Sequence, residues 1–115
     1  MGLGRAAALA LSREGARVAI CARDRDRLQA AAKQIREETG GEVLAIPADV
    51  SETMQAARFV REAIGHFGGA DILVNNAGGP PAAAFLEIDD ALWEKGFRLN
   101  LLSTIAMTRE AIPVM

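Results

Sequence analysis

The chain has 115 residues, 50% of them hydrophobic and 24% charged, with a formal net charge of −2, which fits one ordinary globular domain rather than a disordered segment. Because the net charge is small and arginines alternate with acids, we expect no nucleic-acid binding. No apolar run reaches the roughly 18 residues that cross a bilayer and no secretory signal begins the chain, so we expect no membrane association and a cytoplasmic location.

The N-terminal part of the chain alternates between helix-forming and strand-forming segments. Residues 5–14 are rich in alanine and leucine and precede Gly15, which predicts a helix. The apolar run at residues 17–22 predicts a strand buried on both faces, with the lone Cys21 inside it. From Asp24 to the glycines at 40 and 41, helical spacing predicts an amphipathic helix whose buried face is Leu28, Ala31, Ala32 and Ile35.

Two more strands and another helix follow. Residues 43–46 predict a second buried strand, and Ser51 is the expected N-cap of a helix that ends at Gly68. The expected buried face of that helix consists of Ala57, Val60, Ile64 and Phe67. The apolar run at 72–74 predicts a third strand, and residues 75–81, with two glycines and two prolines, predict a loop.

The last segment is predicted to be helical with a bend. Asp89 or Asp90 is the expected cap of a helix that bends near Asn100 and ends around Pro113. Its apolar residues cover more than one helical face, so we expect this helix to be buried on more than one side. These residues are Leu101, Leu102, Ile105, Met107 and Ile112. We interpret three aromatic residues nearby as core or interface residues: Phe85, Trp93 and Phe97.

This order of elements predicts an α/β fold with a doubly wound parallel sheet. A glycine turn, Gly2-x-Gly4, begins the first helix, and such turns normally follow a strand. Only Met1 precedes the turn here, so we expect the sheet to lack its first strand.

Three motifs follow or begin predicted elements at positions where ligands bind in such sheets. Gly2 and Gly4 place bare backbone at a helix N-terminus, which favours an anion such as a diphosphate, although two glycines can also form a simple turn. Asp49-Val50 follows the second strand, and residues 75–78, Asn-Asn-Ala-Gly, follow the third. Asp49 could also serve only as a cap before the next helix.

Together these motifs resemble the short-chain dehydrogenase/reductase family, and the 3-oxoacyl-acyl-carrier-protein reductases most closely. In that family a Thr-Gly-x-x-x-Gly-Ile/Leu-Gly turn follows the first strand and Asn-Asn-Ala-Gly follows the fourth, so Gly2 and Gly4 match the second and third turn glycines. The resemblance covers residues 1–115 and implies a partial dinucleotide-binding domain. Its Rossmann-type sheet, of strand order 3-2-1-4-5-6, would lack the first strand and the C-terminal half, leaving strand edges and apolar surface exposed.

The resemblance also implies which residues bind a nicotinamide dinucleotide. In the family the turn holds the diphosphate, the Asp-Val pair contacts the adenine, and the Asn-Asn-Ala-Gly loop lines the ribose. The implied cofactor-binding residues are therefore Gly2, Leu3, Gly4, Arg23, Asp49, Val50, Asn76, Ala77 and Gly78. Asn75 and Asn76 could equally support the loop itself.

Arg23 favours NADP over NAD as the cofactor. NAD-preferring members have an acidic residue at the end of the second strand, whereas here Ala22 is followed by Arg23, whose guanidinium suits a 2′-phosphate. Met1 stands where many NADP enzymes have a second basic residue. The alternative is that residues 23–27 are only the solvated start of a helix.

Asn100 resembles the asparagine of the family's catalytic helix, whose backbone carbonyl helps to hold a water near the active-site lysine. Any asparagine at a helix bend would look the same. Family members transfer a hydride between the nicotinamide and a small carbonyl or alcohol, using a Tyr-x-x-x-Lys pair and a serine. The chain contains no tyrosine, so we expect these residues not to catalyse by themselves. The resemblance further implies a homo-oligomer in the complete protein.

The sequence is also compatible with two other functions. The chain could belong to a catalytically inert nucleotide-binding or regulatory module of the same family, which the sequence after Met115 would distinguish. It could also be an unrelated α/β binding domain of flavodoxin type, which Asp49-Val50 and the Asn-Asn-Ala-Gly loop disfavour.

Overall fold

The computed structural model describes residues 2–79 and 82–115; the expectations that involve Met1, Pro80 and Pro81 lie outside these residues. The described elements are α1 (Leu3–Arg13), β1 (Val18–Ala22), α2 (Arg25–Thr39), β2 (Val43–Pro47), α3 (Thr53–Phe67), α4 (Asp90–Phe97) and α5 (Ser103–Ala111). A π-helical turn, Arg98–Leu102, joins α4 to α5, and single 3₁₀ turns lie at Phe85–Glu87 and Ile112–Val114.

Turn residues end α2 and α3, and cap residues begin α2 and α4, where the sequence predicts. Gly40 and Gly68 follow α2 and α3 with φ of 70° and 83°, a conformation that residues with a Cβ rarely adopt. Asp24 Oδ1 accepts a hydrogen bond from the backbone N–H of Arg27 at 3.1 Å and caps α2. Asp89 caps α4 in the same way. These boundaries are therefore set by local chemistry.

The two strands pair in parallel, with Val18 opposite Val43 and Ala22 opposite Pro47. Successive side chains point to opposite faces of the sheet. Val18 packs in a core with α1 and α2, whereas Cys21 packs against a second core formed with α3 and α5. The sheet is thus covered on both faces, as a doubly wound fold requires.

The predicted buried face of α2 is confirmed, since all four of its residues are buried. The prediction for α3 was partly wrong. Its buried residues are Ala56, Phe59 and Val60, while Ala57, Ile64 and Phe67 are only half-buried. α3 packs against both the sheet and α5. Because it has these two neighbours, the residues that it buries differ from those predicted by the spacing of apolar residues alone.

Ser51 was wrongly predicted as the N-cap of α3. The cap position is held by Glu52, which makes no side-chain cap bond. The Ser51 hydroxyl donates to Asp49 Oδ1 at 2.6 Å instead. Ser51 therefore supports the loop before the helix, because the nearby carboxylate competes with the helix N–H groups for it.

The predicted third strand does not form as a paired strand. Residues 72–74 have no strand hydrogen bonds, and the described sheet contains β1 and β2 alone. Leu73 packs against the core, but the exposed fractions of Ile72 and Val74 are 63% and 49%. A strand is defined by its backbone hydrogen bonds to a neighbouring strand, and no described segment pairs with residues 72–74 in this way.

The C-terminal helices are buried on one side only within the described chain. Met107 is buried, whereas Leu101, Ile105 and Ile112 are exposed, contrary to the expectation of burial on several faces. Phe85, Trp93 and Phe97 are likewise not core residues, since all three are exposed. Among residues 2–79 and 82–115, no helix has both the length and the apolar composition needed to cross a membrane.

Candidate functional site

A groove of about 1440 Å³ runs along the length of β1 beside residues 69–74, where the described sheet has no strand, and the candidate site is its part at the carboxyl ends of the strands. Parallel strands deliver the residues that follow them to one edge of a sheet, which is where ligands bind in open α/β folds. All nine predicted cofactor-binding residues line this groove: Gly2, Leu3, Gly4, Arg23, Asp49, Val50, Asn76, Ala77 and Gly78.

The glycine turn places the start of α1 in the groove. Gly2 is the N-cap and accepts from the N–H of Ala6 at 3.2 Å, and it has no side chain that could cap the helix. The first N–H groups of a helix have no acceptors within it, and the helix dipole makes this end positive. A Cβ built on Gly2 would meet nothing within 4 Å, so the backbone here is open to a ligand. An anion of diphosphate size fits this chemistry.

Arg23 follows β1 directly and its side chain is exposed. The N–H of Ala48 donates to the carbonyl of Ala22 at 3.1 Å, which continues the strand pairing and brings Arg23 beside the loop of Asp49. Among the residues described, Arg23 forms no ion pair, and the neighbouring Asp24 contacts Arg27 at 3.6 Å. The guanidinium is therefore available for an anionic group in the groove.

Asp49 is held in place by Ser51 and Gln55, which are not among the predicted site residues. Its Oδ1 accepts from the backbone N–H of Ser51 at 3.0 Å and from the Ser51 hydroxyl, and its own N–H donates to Gln55 Oε1 at 2.9 Å. An aspartate two residues before a serine is the pattern of an Asx turn and could have indicated this. The turn fixes the carboxylate at the end of β2.

The two asparagines of the Asn-Asn-Ala-Gly loop have different surroundings. Asn75 Nδ2 donates to Thr108 Oγ1 on α5 at 3.4 Å, and Asn75 does not line the groove. Asn76 lines the groove and lies next to Gly4. The structure therefore places Asn75 in the scaffold and Asn76 at the candidate site.

Asn100 lies apart from the groove, in the π-helical turn. Its side-chain amide donates to the carbonyl of Gly96 at 3.1 Å, and its own carbonyl accepts from the hydroxyl of Thr104 at 3.0 Å. It lines a smaller apolar pocket of about 370 Å³ with residues such as Leu92 and Trp93. The structure thus does not bring Asn100 together with the other predicted site residues.

Cys21 lines the groove from β1 as a protonated thiol. Burial raises its pKa from the ordinary 9.0 to about 11, so it is a poor nucleophile at neutral pH. His66 lies at the surface, with Nε2 3.0 Å from Glu42 Oε1. In the part of the chain that the structure describes, no cluster of His, Cys, Asp or Glu could hold a metal ion.

Comparison with known proteins gives a consistent set of similarities. The family model described as short chain dehydrogenase matches residues 1–115. A protein of Streptomyces violaceoruber named as a ketoacyl reductase of granaticin polyketide synthase is 40% identical over 111 residues, which are 96% of this chain and 40% of that protein.

Solved structures share the fold. The L-sorbose reductase of Gluconobacter frateurii, in complex with NADPH and L-sorbose, has a TM-score of 0.93 and 35% identity over 99% of this chain and 43% of its own. The NADH-dependent reductase A1-R′ in complex with NAD has a TM-score of 0.87 and 34% identity over 99% of this chain and 48% of its own. The predicted Rossmann-type α/β fold is confirmed. The chain spans less than half the length of these relatives.

Proposed function

Since the chain belongs to the short-chain dehydrogenase family, we propose that it is the cofactor-binding part of an oxidoreductase that transfers a hydride between a nicotinamide dinucleotide and a small carbonyl or alcohol. The observation that carries this proposal is the groove at the carboxyl ends of β1 and β2. It gathers every predicted cofactor-binding residue from four separate parts of the chain.

The chemistry of the groove fits the successive parts of such a cofactor. The open amides at Gly2 and Leu3 would hold the diphosphate, and the fixed carboxylate of Asp49 would accept from the adenine amino group. Asn76 would lie beside the ribose. When bound, the nicotinamide would supply the hydride, and this chain's residues would hold and orient the molecule.

Arg23 supports NADP as the preferred cofactor. An exposed guanidinium without an ion pair in the described chain suits the 2′-phosphate, which NAD lacks. The similar L-sorbose reductase was solved with NADPH, while the reductase A1-R′ was solved with NAD. Side chains at the groove therefore have to decide between the two cofactors, and we assign this role to Arg23, one of several cationic side chains that line it.

Asn100 is proposed to act in catalysis through its backbone carbonyl, away from the cofactor groove. A π-helical turn shifts carbonyls out of the regular helical pattern, and such turns are frequent at functional sites. The Thr104 hydroxyl donates to this carbonyl at 3.0 Å, and the proposed role requires the same carbonyl to hold a water as well. The Tyr-x-x-x-Lys pair of the family would have to come from outside these 115 residues, which contain no tyrosine.

Titration of the full-length natural protein with NADPH and NADH tests the proposal. We expect both to bind, with NADPH tighter by at least about tenfold, and 2′,5′-ADP to displace NADPH better than 5′-AMP does. Absence of affinity for either dinucleotide would refute the proposed function. Binding of NADPH without reduction of any ketone or aldehyde would favour the inert nucleotide-binding module.

We also propose that the complete protein forms a homo-oligomer through α4 and α5. Leu101, Ile105 and Ile112 expose apolar surface on this side of the fold, and Phe97 adds to it. Large apolar side chains exposed along a helix commonly mark protein contacts. Analytical ultracentrifugation of the full-length protein should show a dimer or larger species, and a monomer at micromolar concentration would contradict the proposal.

A further inference from the structure

Asp49 is hydrogen-bonded within the described chain through all of its polar atoms but one. Its N–H donates to Gln55 Oε1 at 2.9 Å, and its carbonyl accepts from the N–H of Glu52 at 3.1 Å. Its Oδ1 accepts from the N–H of Ser51 at 3.0 Å and from the Ser51 hydroxyl at 2.6 Å. Among the residues that the structure describes, Oδ2 has no hydrogen-bond partner. Asp49 is therefore fixed in one orientation, in which a single carboxylate oxygen remains for another donor.

This remaining oxygen belongs to a carboxylate of the groove that no cation neutralises. Asp49 is half-buried and lines the groove. None of the ion pairs found in residues 2–79 and 82–115 includes it. A carboxylate only accepts hydrogen bonds, and its charge makes them stronger than bonds between neutral groups. The carboxylate is therefore available to a hydrogen-bond donor of a ligand in the groove.

A fixed acceptor distinguishes between purine bases. Adenine has an amino donor at C6, whereas hypoxanthine has a carbonyl oxygen there and carries a proton on the adjacent N1. A fixed carboxylate oxygen beside C6 attracts the amino group and repels the carbonyl oxygen. A carboxylate that could turn would follow the N1–H of hypoxanthine and would distinguish the two bases less well. The selection of the base thus depends on the residues that hold Asp49 in place.

We propose that Ser51 is a positioning residue that makes the cofactor site specific for adenine: by holding Oδ1 of Asp49, it leaves Oδ2 to accept from the adenine amino group. The inference rests on the proposed function and extends it from cofactor binding to selection of the base. Ser51 lines the groove together with Asp49, and Gln55 of α3 holds the backbone of Asp49. The hydroxyl of Ser51 acts through the carboxylate and does not have to touch the cofactor.

Titration of the full-length natural protein with NADPH and with deamino-NADPH, in which hypoxanthine replaces adenine, measures this selection. The wild-type protein should prefer NADPH by at least about tenfold, because the analogue lacks the amino donor. Ser51→Ala should weaken NADPH by about threefold to thirtyfold and deamino-NADPH by less than about twofold, so that the preference falls. Ser51→Thr keeps the hydroxyl and should keep the preference.

Asp49→Asn tests the orientation of the side chain directly. Both donors of Ser51 point at Oδ1, so the amide oxygen should take this place and the amide nitrogen the place of Oδ2. The nitrogen donates, and it therefore suits the carbonyl oxygen of hypoxanthine rather than the amino group of adenine. Asp49→Asn should bind deamino-NADPH more tightly than NADPH, a reversal that a loss of stability does not produce. Adding Ser51→Ala should reduce this reversal, because one of the two donors that orient the amide is gone.

Ser12→Ala is the matched control for the loss of a serine hydroxyl. Ser12 is 3% exposed, its hydroxyl lies 2.8 Å from Thr39 Oγ1, and it does not line the groove. We expect this variant to lower the melting temperature and to leave the preference for NADPH unchanged. An equal fall in the preference in Ser12→Ala and Ser51→Ala would show a general effect of stability and overturn the proposal.

The remaining outcomes separate the inference from the proposed function. If the wild-type protein binds NADPH and deamino-NADPH equally, or if Ser51→Ala weakens both alike, the inference is overturned while the proposed function stands. If Ser51→Ala does not fold, the other two variants decide: a kept preference in Ser51→Thr with a reversed one in Asp49→Asn supports the proposal, and any other pair of results overturns it. A wild-type protein without affinity for NADPH or NADH removes the proposed function and this inference together.

Discussion

Replacing Arg23 should change the choice between NADP and NAD with little effect on folding. The side chain is exposed and makes no ion pair among the residues described, so its removal breaks no charged contact of the protein. Surface changes of this kind usually alter the free energy of unfolding by less than about 0.5 kcal/mol. A loss of NADPH affinity in Arg23→Ala would therefore report on the ligand contact.

The expected size of that loss follows from one charge-assisted hydrogen bond. Such a bond to a phosphate contributes about 1.5–3 kcal/mol, and each 1.4 kcal/mol is about tenfold in affinity. Arg23→Ala should therefore weaken NADPH by about 10- to 150-fold. Because Arg23 is exposed to solvent, the lower part of this range is expected, and Arg23→Asp should lie higher through repulsion of the phosphate. NADH lacks the phosphate, so its affinity should change by less than about twofold in Arg23→Ala.

Fluorescence titration with NADPH and NADH measures both effects, and Arg25 provides a matched control. Arg25 is an exposed arginine two residues further on, at the first position of α2, and it does not line the groove. Arg25→Ala should leave both affinities unchanged. Equal losses for NADPH and NADH in Arg23→Ala, or equal losses in the two arginine variants, would refute the assignment of Arg23 to the 2′-phosphate.

Three further predictions concern stability and chemistry. Leu28 is fully buried, so Leu28→Ala should lower the free energy of unfolding by about 2–5 kcal/mol in urea titrations, and a loss below about 1 kcal/mol would contradict its place in the core. Asp49→Ala removes the acceptor of two bonds from Ser51; it should destabilise the protein by about 1–2 kcal/mol and weaken NADPH and NADH alike, whereas a loss confined to NADPH would argue against a role at the adenine. Burial raises the pKa of Cys21 from 9.0 to about 11, so its contribution to stability is complete below pH 9 and is lost as the pH rises through 11. The alkylation rate of Cys21 against pH should show this higher value in the native protein and about 9.0 in urea, and equal values would show that the thiol is not buried.

Local chemistry was enough for most of the helices, whereas the residues expected at the cofactor came mainly from the family resemblance. The face of α2, the caps at Asp24 and Asp89 and the helix ends at Gly40 and Gly68 all follow from spacing and turn chemistry, and the structure confirms them. The residues after β1 and β2 could be grouped in advance because parallel strands end at a common edge. Their roles toward a cofactor stay predictions.

Tertiary structure decided the features that depend on a partner. Residues 72–74 have the composition of a strand, yet a strand needs a neighbouring backbone, and no described segment pairs with them. The face that α3 buries depends on α5 as well as on the sheet, which the spacing within α3 does not contain. Asn75 and Asn76 are identical in type and adjacent in sequence, and only the positions of Thr108 and Gly4 give one to the scaffold and the other to the groove. Periodicity and turn residues thus determined the elements, because those signals act within a few residues, whereas contacts between distant segments determined how each side chain is used.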